Sequence, residues 1–373
     1  MLKRLYIDNY KCFVNFELRP GPLHLLMGGN GSGKTTLGLL LASLRDVIAG
    51  DALAPDLPKQ PHFGITTFNK WQQKPTQTIE LETEVEGHTY VYALQIEHRD
   101  QFRSGESQRP RVLSESLEMD GKGLLQFVEG RLTVGTNAKN SLDFRLDWHR
   151  SALTFLQPRP ENRPIFRFKE WVENIGYFRL VPPFSSSAEQ EVARPDRNLS
   201  NFTAWLRYKL QEDPAIYSRV EQTLRDVLPG FRGLRFQALD DGRKTQIANF
   251  EAQGQTRGFP LDALSDGQQA LIGLYFLLHG LVGVDERLVI FDEPDNFVAL
   301  REIQPWLNQL QDRLAESKGQ VMLISHHPEL LNQLAPDCGL VFRRSDSGYA
   351  QAEPYRPLEP KDLTPAELEV RGW

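Results

Sequence analysis

One glycine-rich loop holds the clearest chemistry in this chain. Gly28-Gly29-Asn30-Gly31-Ser32-Gly33-Lys34-Thr35 reads G-x-x-x-x-G-K-T, between an apolar strand-like run, Leu23–Met27, and a helix-forming run, Leu37–Leu44. A strand that feeds such a turn into a helix start aims several backbone N–H groups at one point, where the helix dipole favours an anion. The glycines let phosphate oxygens approach the main chain with no Cβ in the way. In that reading Lys34 reaches the terminal phosphates and the Thr35 hydroxyl completes a Mg2+ shell, with Thr36 beside it in the first turn. The plainer alternative is a glycine turn between a strand and a helix.

Three further segments decide which phosphate chemistry would follow. Leu288–Phe291 is an apolar run of the kind that suits a parallel strand covered on both faces, and it ends in Asp292-Glu293. Asp292 is placed to hold Mg2+ through water and Glu293 to polarise an attacking water as general base. Alone, the segment is equally a buried strand ending in exposed acids. Leu264-Ser265-Asp266-Gly267-Gln268-Gln269 opens an apolar helix predicted from Gln268 to Leu281. Its start offers a hydroxyl and bare N–H groups for a second anion, or else Ser265 or Asp266 simply caps the helix. Val321–Ile324, a second buried-strand pattern, ends in Ser325-His326-His327-Pro328. A histidine there would donate to a terminal phosphate and report its loss. A surface histidine pair, or a metal site with Cys338 nearby, are the alternatives.

In the order phosphate loop, L-S-D-G-Q, hydrophobic-D-E, S-H, the chain resembles the ABC-type ATPases, specifically the SMC/RecF-like and OLD-like branch of standalone "AAA family" ATPases. Leu5-Tyr6-Ile7-Asp8-Asn9-Tyr10-Lys11-Cys12-Phe13 is similar to that branch's opening strand. The resemblance covers residues 1–50 and 260–345 well and the middle loosely. It implies an α/β P-loop NTPase of ABC type, with a mixed central sheet, an antiparallel β lobe near the adenine side and a helical insertion. It implies ATP and Mg2+ as cofactors, and a head-to-tail homodimer or higher homo-oligomer. There the nucleotide held by Gly28–Thr36 of one copy meets Ser265, Asp266, Gly267 and Gln268 of another. His326, not His327, matches the switch histidine because it directly follows the strand-end serine. Lys34, Glu293 and His326 would be the catalytic set, and Thr35 and Asp292 the metal ligands.

Relatives of this kind act in DNA repair or anti-phage defence, and compact ones work beside a separately encoded nuclease or other effector. No acidic nuclease array is recognisable in residues 344–373. A slow-turnover, ATP-gated scaffold or sensor is the alternative function. The chain departs from the family after Glu293, where Pro294-Asp295-Asn296-Phe297-Val298-Ala299-Leu300 replaces a hydrophobic-His-Pro stretch. The Mg2+-sensing glutamine is open, with Gln157 as candidate against Gln72 and Gln73.

The expected organisation is a first nucleotide-binding lobe over 1–150, a mainly helical insertion with a β hairpin over 151–260, and a second lobe over 261–373. Alternating runs Thr78–Val85 and Thr89–Glu97 flank Glu86-Gly87, and further turns fall at Asp120-Gly121 and Glu129-Gly130, so 62–135 reads as antiparallel sheet. Helices are predicted over Phe166–Ile175, Leu199–Leu210 and from Pro214 to Leu228. Phe231–Phe236 and Lys244–Glu251 read as a hairpin, and Ser185–Asn198 as a polar, mobile stretch. No long heptad run is present. Helix and strand are expected at Glu329–Leu334 and Gly339–Arg343, and a capping box at Thr364–Glu367 announces a last short helix.

With 40% hydrophobic residues the chain can bury a large core, and two cysteines, Cys12 and Cys338, make no disulfide framework and suit a reducing cytoplasm. The longest apolar stretch, Ala270–Val284, contains His279 and is too short to span a membrane. A net charge of −6 argues against a surface devoted to nucleic acid. The basic loops Arg99, Arg103, Arg109, Arg111 and Arg150, Arg159, Arg163, Arg167, Lys169 read first as solvated faces balanced by neighbouring acids, and are where nucleic acid would touch if it binds.

Overall fold

The computed structural model describes residues 1–53, 62–72, 74–98, 110–135, 144–356 and 364–370. Arg99, Arg103, Arg109 and Gln73 lie outside them. The chain divides into two compact units, Met1–Ile175 with Leu331–Trp373, and Gly176–Leu330.

The first unit is built on an eight-stranded antiparallel sheet that begins with Phe16–Leu18, Leu2–Asp8, Thr76–Val85 and His88–Glu97. It continues through Arg111–Met119, Lys122–Val128, Arg131–Val134 and Phe144–Arg145. The three predicted turns are tight because both central residues sit at positive φ, as in Glu86 (51°) and Gly87 (80°). Along Thr76–Val85 every second residue is buried, so one face of the sheet makes core and the other meets solvent. A second strand group joins Leu23–Met27 in parallel to Gly339–Arg344, which turns back antiparallel into Ala350–Pro354. The phosphate-loop helix, Lys34–Ala49, and the helix Arg163–Glu173 bury Leu37, Leu40, Leu41, Leu44, Ile165, Phe168 and Val172.

In the second unit three parallel strands run in register: Gly176–Phe178, Leu288–Asp292 and Gln320–Ile324. All five residues of Leu288–Asp292 and of Gln320–Ile324 are buried, which is why these runs are continuously apolar rather than alternating. Helix Asp266–Leu281 is buried on nearly every side from Gln269 onward, and Leu300–Ala315 lies alongside. Trp306 on the latter is fully buried and donates its indole N–H to Leu274 O at 3.1 Å. Burial of such a side chain contributes roughly 2–3 kcal/mol. The predicted hairpin Phe231–Ala238 and Lys244–Ala252 gains a third antiparallel strand, Gln255–Pro260. Ser185–Asn198, expected to be mobile, is tied in: Ser187-Ala188 pairs with Lys244-Thr245, and Arg207 donates to Ala188 O at 2.9 Å. The longest helices among the described residues have 16 residues, and none is long and apolar enough to cross a membrane.

Candidate functional site

The two units carry the candidate residues in two groups. In the first unit, strand Leu23–Met27 delivers the chain to Gly28, where two constraints exclude any side chain. Its φ is 125°, and an added Cβ would lie 2.2 Å from Phe342 O. Gly33 is similarly confined, at φ 118° with Cys12 Sγ 2.9 Å from an added Cβ. Gly29 and Gly31 meet nothing within 4 Å, so the crest of the loop is open while its feet are clamped. Arg344 adds to the clamp by donating from Nε to Gly31 O at 2.8 Å.

Helix Lys34–Ala49 starts at Gly33 with no side-chain cap and no acid in its first turn. Its positive dipole end therefore faces the loop with no acid in the first turn to offset it, a seat suited to an anion. Lys34 is only 5% exposed, and its ammonium donates to Gly29 O at 3.1 Å, with Gly28 O and Ser32 Oγ also in reach. The cation is thus held at the centre of the cradle. Asn30 and Gly31 are exposed, Ser32 is buried, and Thr35 and Thr36 are half-buried in the first turn.

Gln157 sits in the same unit, two residues beyond a short turn, Ala152–Phe155. That turn is pinned by Glu115, whose buried carboxylate accepts from Ser151 Oγ (2.6 Å), Ala152 N (2.7 Å) and Tyr92 Oη (2.8 Å). Burial pushes the Glu115 carboxyl above its ordinary range, partly offset by these donors. Gln157 itself is exposed, and its carbonyl accepts from Asn162 Nδ2 at 3.0 Å. Gln72 is half-buried, its Oε1 without a hydrogen-bond partner.

In the second unit, Asp292 ends its strand fully buried and accepts from the Tyr177 hydroxyl at 2.6 Å. Burial first, then the hydrogen bond and charge of Asp292, push Tyr177 far above the usual phenol range, so it is a fixed donor. Glu293 adopts φ 54°, and its N–H donates to Ile324 O at 2.8 Å. Its carboxylate accepts from Arg179 at 2.8 Å and from Asn296 Nδ2 at 2.8 Å.

The helix beginning at Asp266 is capped by Ser265. The Ser265 hydroxyl accepts from Gln268 N at 3.3 Å, and Gln268 Oε1 accepts from Ser265 N at 3.1 Å, a reciprocal capping box. Ser265 and Asp266 are nonetheless exposed at the helix tip. Gly267 admits no side chain because an added Cβ would lie 2.7 Å from Phe297 O, in the segment where the chain departs from the resembled pattern. His326 is half-buried after the strand end, while His327 N donates to Ser325 Oγ at 2.9 Å. Among the described residues no three His, Cys, Asp or Glu side chains converge as a metal-binding group.

Tyr177, Arg179 and Arg344 had no signal in the sequence reading. The first two lie in and just beyond a strand of three residues, too short to show periodicity.

A family model described as "AAA domain, putative AbiEii toxin, Type IV TA system" matches residues 23–332. The chain belongs to this AAA domain family. The OLD nuclease of Thermus scotoductus is 43% identical over 51 residues, which is 14% of this chain and 9% of that protein's length. Among solved structures, an SMC head bound to the C-winged helix domain of ScpA superposes with a TM-score of 0.57 at 12% identity, covering 94% of this chain and 97% of that one. The SMC head domain from Thermotoga maritima gives 0.47 at 14% identity, covering 95% and 99%. The fold is that of an SMC head, an ABC-type ATPase fold.

Proposed function

We propose that the chain binds and hydrolyses ATP with Mg2+, and that nucleotide drives head-to-tail association of two copies as a switch. The observation that carries this reading is the cradle of Gly28–Thr35: clamped glycines, an uncapped helix start and a central buried ammonium. Its residues fit a polyphosphate, since Gly29 and Gly31 leave the crest of the loop open with no side chain over the backbone, while Gly28 and Gly33 seat its feet against Phe342 and Cys12.

In the proposed reaction Lys34 and the loop N–H groups bind the β- and γ-phosphates. Thr35 and Asp292 would hold Mg2+, which would supply charge neutralisation for the phosphates. Gln157 is retained as a candidate metal-sensing residue. Glu293 takes the proton of the attacking water, and His326 donates to the terminal phosphate. Ser265 and Gly267 of a second copy would contact that phosphate and release it after hydrolysis. Only such differential contact lets a nucleotide shift an assembly equilibrium. Family membership and the SMC-head fold support the nucleotide chemistry; the exposed tip at Ser265 supports the second-copy contact.

We further propose a role in DNA repair or anti-phage defence through a separately encoded nuclease or other effector. Nucleic acid contact would fall on the Arg159–Lys169 side of the first unit.

Glu293→Gln tests the reading. It should keep ATP binding, lower phosphate release by about 100-fold or more, and accumulate as an ATP-bound dimer in size-exclusion chromatography. A variant that stays monomeric with ATP at micromolar concentration would defeat the switch. Slow wild-type release combined with ATP-dependent association would favour a gated scaffold instead.

A further inference from the structure

Asp292 and Glu293 are consecutive residues at a strand end, so extended backbone would send their side chains to opposite faces of the sheet. Both are instead held by one neighbouring segment. Tyr177 donates to Asp292 at 2.6 Å, and Arg179 donates to Glu293 at 2.8 Å. Tyr177 and Arg179 are two residues apart, the spacing that puts side chains on one face of a strand. The parallel register Tyr177↔Ile290 and Phe178↔Phe291 brings this segment alongside the carboxylates.

What lets Glu293 reach the same side is its left-handed backbone. At φ 54° the chain turns out of strand geometry, and the Glu293 N–H to Ile324 O bond fixes that turn. A non-glycine residue held there carries strain that its surroundings must maintain. Asn296 closes the arrangement from the following loop, donating to the same Glu293 oxygen at 2.8 Å. Arg179 is anchored in turn, its N–H donating to Arg197 O at 2.9 Å.

We infer that Tyr177 and Arg179 are paired positioning residues: Tyr177 sets the Asp292 carboxylate for metal, and Arg179, with Asn296, sets the Glu293 carboxylate for water. The Arg179–Glu293 pair is half-exposed, with side chains 47% and 28% accessible, so its worth lies in direction rather than stability. The inference rests on the proposed roles of Asp292 and Glu293.

Partners that orient a metal ligand or base typically change affinity or activity by about 10–100-fold when removed. Arg179→Ala should therefore lower kcat by about 10-fold or more while KM for ATP moves less than about 3-fold, and Arg179→Lys should recover part of kcat. Tyr177→Phe should raise the Mg2+ concentration needed for half-maximal ATP-dependent dimerisation by about 10-fold, a readout independent of turnover. Thermal melts of all three variants within a few degrees of wild type exclude simple unfolding. If Glu293→Gln is inactive but Arg179→Ala turns over normally, or lysine restores nothing, the clamp is wrong. Glu293→Gln hydrolysing at the wild-type rate would remove the base itself, and the clamp with it.

Discussion

Two helices in this protein begin beside glycines and carry the residues marked for phosphate, yet their first turns are finished differently. Helix Lys34–Ala49 starts with no side-chain cap, whereas helix Asp266–Leu281 is closed by the reciprocal Ser265–Gln268 box. The first start has its donors aimed into a loop whose feet are clamped by Phe342 and Cys12 and whose crest is steadied by Arg344. The second has spent its serine hydroxyl internally and presents an exposed tip. An uncapped start suits a resident ligand. A capped one is self-sufficient, and can meet a ligand and leave it without the helix fraying. This is the division expected of a binding cradle and a transient contact.

The sharpest way to break that contrast is to exchange a loss at each end. Lys34→Ala should weaken ATP binding by about 100-fold or more, because a buried charge-assisted contact is lost. Ser265→Arg should leave single-chain binding, measured with a fluorescent nucleotide analogue, within about 3-fold, while abolishing ATP-dependent dimerisation. Equal losses in both variants would erase the distinction.

The glycines sharpen it next. Gly28→Ala combines positive φ with a backbone clash and should cost about 3 kcal/mol or more, or prevent folding. Gly267→Ala, crowded by one carbonyl without positive φ, should cost about 1–2 kcal/mol in chemical denaturation. A smaller effect is expected from Ser265→Ala, where loss of the cap should remove about 1 kcal/mol and lower the melting temperature by about 2–4 °C with ATP binding unchanged.

A separate effect concerns acid. His98 in the first unit and His279 in the second are both pushed down from 6.5 to about 4, each mainly by burial, with Arg313 and Arg219 adding to the effect at His279. The unfolded chain takes these protons first, so the contribution is intact above pH 6.5 and is lost as pH falls toward about 4. Melting temperature should decline over that window, and His98→Phe should flatten the decline. An unchanged slope would show that His98 carries none of it.

The parts of the fold legible in the sequence share a strong local signature. Gly87, Gly121 and Gly130 marked turns that positive φ requires, and the apolar run Leu288–Phe291 foretold a strand buried on both faces. N-capping by Ser265 or Asp266 was visible as an alternative ahead of the apolar helix run, but the reciprocal bond from Gln268 that makes Ser265 the cap was not. Gly176–Phe178 was hidden because three residues carry no period. Gln255–Pro260 was hidden because all its residues are exposed and its pairing alone makes it a strand. Leu300–Ala315 contains Pro305, which masks a helix whose Ile303, Trp306, Leu307 and Leu310 are buried. At the candidate site the motif residues were readable, but the groups that aim them were not, since Tyr177 and Arg179 act through a neighbouring strand remote in sequence.

The seat of Gly28 against Phe342 has a consequence for synthesis. The phosphate loop is translated first, but the carbonyl that shapes its entry and the arginine that steadies its crest, Arg344, come more than three hundred residues later. A nascent chain therefore holds an unformed cradle until the segment carrying Phe342 and Arg344 has left the ribosome. Fragments cut short of that segment should be unable to retain nucleotide, however intact their glycine motif.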